Sequence, residues 1–145
     1  MKKLRILVVD GQGGGMGRAI VERLRREFND KVELHAVGTN AIAAQAMMKA
    51  GADAAASGES AVIYNSQKAD YIIGPIGILA GGSMLGELSP AMAQAITASS
   101  AEKILLPLNR CGLQVVGIKD EPLQIRLDQL SELVRTNIEL HDTNE

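Results

Sequence analysis

The chain has 145 residues, 46% of them hydrophobic and 22% charged, with a formal net charge of -2. This length suits one domain around one core, so residues 1–145 are expected to form a single unit. A near-neutral charge and only Phe28, Tyr64 and Tyr71 as aromatics leave no surface for tracking phosphates or stacking bases, which disfavours nucleic-acid binding.

In chain order, Leu4, Ile6, Leu7, Val8 and Val9 form a nearly unbroken apolar run, the pattern of a parallel strand covered on both faces. The basic residues Lys2 and Lys3 do not turn this run into a signal peptide, because it is too short and lacks a small-residue cleavage site. The loop Asp10-Gly11-Gln12-Gly13-Gly14-Gly15-Met16-Gly17 follows. Beyond it Ala19, Ile20, Val21, Leu24 and Phe28 recur at helical spacing, with Arg18, Glu22, Arg23, Arg25, Arg26 and Glu27 on the other face. The change from strand period to helix period thus falls on the glycines. Glycine lets backbone approach an oxyanion, and the following helix aims unpaired amides and a positive dipole end at the same place. Residues 11–17 are therefore expected to hold a phosphate. Asp10 would cap loop amides or bind a metal ion, and bare it would repel a phosphate.

The glycine spacing fits Gly-x-x-x-Gly-x-Gly at Gly11, Gly15 and Gly17, whereas the dinucleotide form Gly-x-Gly-x-x-Gly fails at Met16 or Arg18. That spacing, with Gly15-Met16-Gly17-Arg18-Ala19-Ile20-Val21-Glu22-Arg23-Leu24, resembles the cofactor loop and first helix of short-chain dehydrogenases. The resemblance implies NADP or another nucleotide as ligand.

A second strand is predicted over residues 31–37, where Val32, Leu34 and Ala36 alternate with polar neighbours. Gly38-Thr39-Asn40 turns the chain, Asn40 serves as N-cap, and Ala43, Ala46, Met47 and Ala50 line a helix closed by Gly51. Residues 53–56 make at most a short strand. Ser57 is expected to cap a third helix over residues 59–68, with Val62 and Ile63 inward. Residues 70–74 read as the next strand, Pro75-Ile76-Gly77 as a turn, and Ser89-Pro90 as the start of another helix. Residues 103–108 and 113–118 both read as strands, and the short Asn109-Arg110-Cys111-Gly112 link predicts an antiparallel hairpin between them. Asp120 and Pro122 precede a terminal helix carrying Leu123, Leu127, Leu130, Leu133, Val134 and Ile138, and residues 141–145 read as a frayed tail.

The expected fold class is α/β: a three-layer, Rossmann-like domain, mainly parallel, with an antiparallel edge hairpin. Ligands of such sheets sit beyond the carboxyl ends of the strands, where the strand order reverses. Thr39, Asn40, Ser57, Gly77 and Arg110 are accordingly assigned to the rim of the site. No Asp or Glu stands at the end of the second strand to take a ribose hydroxyl, an argument against ordinary NAD recognition. Tyr64-Asn65-Ser66-Gln67-Lys68 spells the Tyr-x-x-x-Lys of short-chain dehydrogenases but lies before the fourth strand instead of after the fifth. It reads better as a core tyrosine and a solvated lysine. Cys111, beside Arg110, is a nucleophile only if its pKa is lowered there. His35 and His141 suggest no metal site.

The apolar window over residues 71–85 is broken by Gly74, Pro75, Gly77, Gly81 and Gly82 and falls short of the ~20 residues of a membrane helix. A lone cysteine fits a reducing compartment, and a cytoplasmic location is expected. Taken whole, Asp10-Gly11-Gln12-Gly13-Gly14-Gly15, Gly38-Thr39-Asn40, Gly74-Pro75-Ile76-Gly77, Met84-Leu85-Gly86-Glu87-Leu88 and Leu108-Asn109-Arg110-Cys111 resemble a family of short bacterial proteins known as a domain of unknown function. The resemblance implies a compact Rossmann-like domain and names no substrate. The expected function is binding of a small phosphate-bearing ligand, a nucleotide or dinucleotide, through residues 11–17. The alternatives are a small NADP-dependent reductase-like enzyme, or a homo-oligomeric interaction protein with a vestigial loop and the terminal helix as its contact.

Overall fold

A computed structural model describes residues 2–108 and 111–144. Strands β1 (Leu4–Asp10), β2 (Val32–Gly38), β3 (Ala54–Ser57), β4 (Tyr71–Pro75) and β5 (Glu102–Leu106) alternate with helices α1 (Gly15–Phe28), α2 (Ala41–Ala50), α3 (Glu59–Ser66), α4 (Pro90–Ala98) and α5 (Leu123–Thr143). The strands form one sheet in the order β3-β2-β1-β4-β5, and every pairing is parallel. The chain leaves β1 toward β2 and β3, then returns to the other side of β1 as β4. That reversal places the switch point of this Rossmann-like sheet between the carboxyl ends of β1 and β4.

Alternation along β1 explains the two cores. Ile6 and Val8 face the layer of α1, α2 and α5, packing with Ile20, Leu24, Phe28, Met47, Leu127 and Val134. Leu7 and Val9 face the opposite layer, with Val62 of α3, Met92 and Ile96 of α4, and Ile78, Met84 and Leu88 between β4 and α4. Helix ends follow local chemistry: the Asn40 side chain accepts from the Ala43 amide at the start of α2, which stops at Gly51 with φ 127°. Ser89 caps α4 just ahead of Pro90. At α3 the N-cap is Gly58, with no side-chain cap, so Ser57 does not play that role.

The antiparallel edge hairpin does not form. β5 runs parallel to β4, and residues 113–118 are no strand. Gly112 and Gly117 turn at φ 82° and 91°, the Ile118 amide donates to the Val115 carbonyl at 3.3 Å, and Val116 is fully exposed. β-branched residues favour a strand only where a neighbour supplies hydrogen bonds and packing, and here the chain instead leaves the edge to start α5. That helix covers β5 through Leu127, Leu130 and Val134, and Arg23 ties it to α1 by bonding Asp128 at 2.6 Å. Leu133, one of the apolar residues this helix carries, is 48% exposed. α5 also runs to Thr143, into the segment read as a tail, where a ring nitrogen of His141 bonds the Lys2 carbonyl at 3.1 Å.

Candidate functional site

The glycine loop joins β1 to α1 at the switch point, and its glycines divide by what a side chain would meet there. A Cβ on Gly11 would lie 2.5 Å from Thr39 Oγ1 and 2.6 Å from Met84 Sδ; on Gly14, 2.8 Å from the Ala43 Cα; on Gly17, 2.6 Å from Met47 Sδ and 2.7 Å from Asp10 Cβ. Gly14 also has φ 75°. Packing alone accounts for these glycines. Around Gly13 and Gly15, by contrast, a Cβ would meet nothing within 4 Å, and neither has a positive φ.

Two carboxylates close the inner half of the mouth. Asp10, 4% exposed, accepts the Gly17 amide at 2.6 Å. Burial pushes its carboxyl above the ordinary range, while the amides of Gly17, Gly11 and Met16 pull the other way. Asp10, the last residue of β1, therefore satisfies one of the free amides in the first turn of α1. The second carboxylate, Glu87, comes from the connection between β4 and α4. Its Oε1 accepts the Gln12 amide at 2.8 Å, the Thr39 hydroxyl at 2.7 Å and Asn40 Nδ2 at 2.8 Å. Those hydrogen bonds, Thr39's foremost, hold the Glu87 carboxyl below its ordinary value. Asn40 Nδ2 also donates to the Gln12 carbonyl at 2.9 Å.

Within residues 11–17 not every amide points outward. Gly17 and Gln12 spend their amides on protein carboxylates, Gly14 donates its own to the Gly11 carbonyl at 2.9 Å, and Met16 packs against the core on the α1 face. What remains open is the outer rim at Gly13 and Gly15. Gly15 borders a groove of about 330 Å³ between α1 and α5 that is lined by Arg18, Arg23 and Arg26. Among the described residues Arg18 and Arg26 enter no ion pair, whereas Arg23 holds Glu27 and Asp128.

Of the other rim residues, Thr39 and Asn40 meet the loop both through Glu87 and directly, Asn40 at the Gln12 carbonyl and the Thr39 amide at the Asp10 carbonyl, 3.0 Å away. Ser57 ends β3, which pairs with β2 and not β1, roughly 10 Å across the sheet from the loop. Gly77 is buried in a 3-10 turn after β4, and its carbonyl accepts the Ser83 hydroxyl at 2.7 Å. Arg110, with Asn109, lies outside the described residues; Cys111 is exposed. Tyr64 is 61% exposed on α3 instead of in the core, with Lys68 Nζ 5.5 Å from its ring centroid. Tyr64 lies on α3 and Lys68 in the turn that follows it.

Glu87 was not read from the sequence as a site residue. The signal was the absence of a carboxylate after β2, which the fold answers from 47 residues further along the chain. The connection that delivers it, residues 80–88, is a compact turn closed by the Gly82 amide on the Leu88 carbonyl at 2.7 Å. Met84 and the fully buried Leu88 anchor it.

A family model described as Domain of unknown function (DUF3842) matches residues 5–139. The chain belongs to this family. No curated protein matches the DUF3842 chain in sequence. Among solved structures it is similar to a universal stress protein in complex with cAMP, at 19% identity and a TM-score of 0.42, covering 72% of this chain and 98% of that one. It is also similar to a dodecameric FMN-dependent UbiX-like decarboxylase from Escherichia coli O157:H7, at 18% identity and a TM-score of 0.46, covering 92% and 75% respectively. Likeness of this degree says nothing about a ligand. No described helix of this DUF3842 protein is long and apolar enough to cross a membrane.

Proposed function

We propose that this DUF3842 domain binds a nucleotide or dinucleotide at the switch point, its phosphate over Gly13 and Gly15 and flanked by Arg18. The observation that carries the reading is the pair of glycines that packing does not require. Where backbone conformation and neighbours both permit a side chain, close approach by something outside the chain is the remaining physical use of glycine. Gly15 opens into a groove lined by Arg18, Arg23, Arg26 and Glu22, in which Arg23 is paired with Glu27 and Asp128 and Arg18 and Arg26 supply the positive charge, and the first turn of α1 contributes its dipole. Asp10 and Glu87 lie on the inner side with their charge spread over loop amides, so the phosphate belongs on the outer side.

Isothermal titration of the purified protein with ADP, GDP, NAD and NADP tests the reading, with mass spectrometry of ligands released from fresh protein to widen the panel. Gly15→Val is expected to abolish binding while leaving the circular dichroism spectrum unchanged. Equal affinity in wild type and variant removes the loop from the site.

A second reading, self-association through the terminal helix, draws on the exposed Ile125, Leu133 and Leu140 of α5. Sedimentation of a monomer across a wide concentration range would exclude it.

A further inference from the structure

Resting on the nucleotide reading, we infer that Glu87 is the hydroxyl acceptor for the ligand's ribose, and that the site therefore selects an unmodified ribonucleotide over a 2′-deoxy or 2′-phosphorylated one. A carboxylate offers about four acceptor positions on two oxygens. In Glu87 three donors from two loops fix Oε1, while among the described residues Oε2 takes no hydrogen bond. Glu87 is exposed, so this second oxygen is open to a ligand.

Placement supplies the rest. Gln12 belongs to the loop after β1, and Thr39 and Asn40 directly follow β2, so the carboxylate stands over the carboxyl ends of both strands. In open α/β sheets that is where an acidic side chain takes ribose hydroxyls while the glycine loop takes the phosphate. Here the acid arrives from the opposite side of the switch point, on residues 80–88. Because Met84 lies against Gly11 and Leu88 is fully buried, the carboxylate is held ready before a ligand arrives, which lowers the ordering cost of binding. A 2′-phosphate would instead bring a second anion against Glu87, and a 2′-deoxy sugar would leave the carboxylate without its partner.

The test titrates wild type with ADP and 2′-deoxy-ADP, GDP and 2′-deoxy-GDP, and NAD and NADP, then repeats the series with Glu87→Ala. A hydrogen bond to a charged group corresponds to a preference of about tenfold or more. The expected result is that margin for the ribo form over the deoxy form, with NADP weaker than NAD. In Glu87→Ala both preferences disappear and the ribo form falls to the affinity of the deoxy form. Equal binding of ribo and deoxy forms by wild type overturns the role of Glu87 but leaves the nucleotide site standing, as does a preference that survives in Glu87→Ala. Failure of wild type to bind any of the six overturns both. The wild-type comparison decides the matter even if Glu87→Ala does not fold.

Discussion

The division of the glycine loop into packed and open positions is tested by two substitutions separated by a single residue, Gly15→Ala and Gly17→Ala. At Gly17 the new methyl would sit 2.6 Å from Met47 Sδ and 2.7 Å from Asp10 Cβ. Met47 is fully buried and Asp10 is held by the Gly17 amide itself, so neither neighbour yields freely. Forcing a methyl into a filled site costs about 1–3 kcal/mol, offset by roughly 0.5–1 kcal/mol from replacing a helical glycine by alanine. The net expectation is a loss of about 1–2 kcal/mol. At Gly15 the same methyl meets nothing within 4 Å, and only the gain remains, about 0.5 kcal/mol in the first turn. The two variants should differ by about 2 kcal/mol, or roughly 6 °C in melting temperature for a chain of this size. Urea denaturation followed by circular dichroism reads the difference. If Gly17→Ala is as stable as Gly15→Ala, the loop is not packed as described and the argument from its open glycines fails.

Leu85 is 96% exposed at φ 57°, so Leu85→Gly removes backbone strain without uncovering core. Left-handed strain of about 1–2 kcal/mol outweighs glycine's entropy cost of about 0.5–1 kcal/mol, and thermal unfolding should show a gain of several tenths to 1 kcal/mol. Asn40→Asp keeps the oxygen that caps α2, a change neutral or favourable for the helix alone. It removes the donor 2.8 Å from Glu87 and sets two carboxylates face to face, so we expect a loss of about 1–2 kcal/mol at pH 7; unchanged stability would dissociate Asn40 from the Glu87 cluster. For Glu87 the folded state favours the charged form, since its carboxyl is held below the ordinary 4.5. Its contribution is thus complete above that value and lost as pH falls through the lower folded value. The melting-temperature gap between wild type and Glu87→Gln should be modest at pH 7, because the group is exposed to solvent screening, and should shrink below pH 4.5. A gap that widens on acidification would contradict the assignment.

The parts of the fold that were legible in sequence are those written in local period and local capping. β1 and α1 stand out because the switch from a nearly unbroken apolar run to helical spacing occurs at Gly11 to Gly17, and α2 and α4 because Asn40, Gly51 and Pro90 punctuate them. Residues 113–118 misled for a related reason: Leu113, Val115, Val116 and Ile118 have the composition of a strand, yet strand formation depends on a partner that composition does not report. The Tyr64 assignment failed similarly, since α3 is short and fully buries only Val62 and Ser66, with Ala61 and Ile63 half-buried and Tyr64 turned to solvent.

The site was half legible, and the missing half follows from topology. A glycine motif announces itself over consecutive residues, but the acid that completes the mouth is joined to it only through the reversal of strand order between β1 and β4. Before that order is known, Glu87 is one acidic residue among seventeen; afterwards it is the one that bonds Gln12, Thr39 and Asn40 together. The same contact explains why the gap after β2 is no evidence against a ribose. A parallel sheet whose strand order reverses at β1 brings the β4 connection over the end of β1, so a carboxylate carried there reaches the tip of β2 without belonging to it. Gly11 makes this arrangement possible, because only a residue without a side chain leaves room for both Thr39 and Met84 against the loop. Substituting it by alanine should disturb Glu87 and the open glycines together, while Gly13→Ala should leave Glu87 in place.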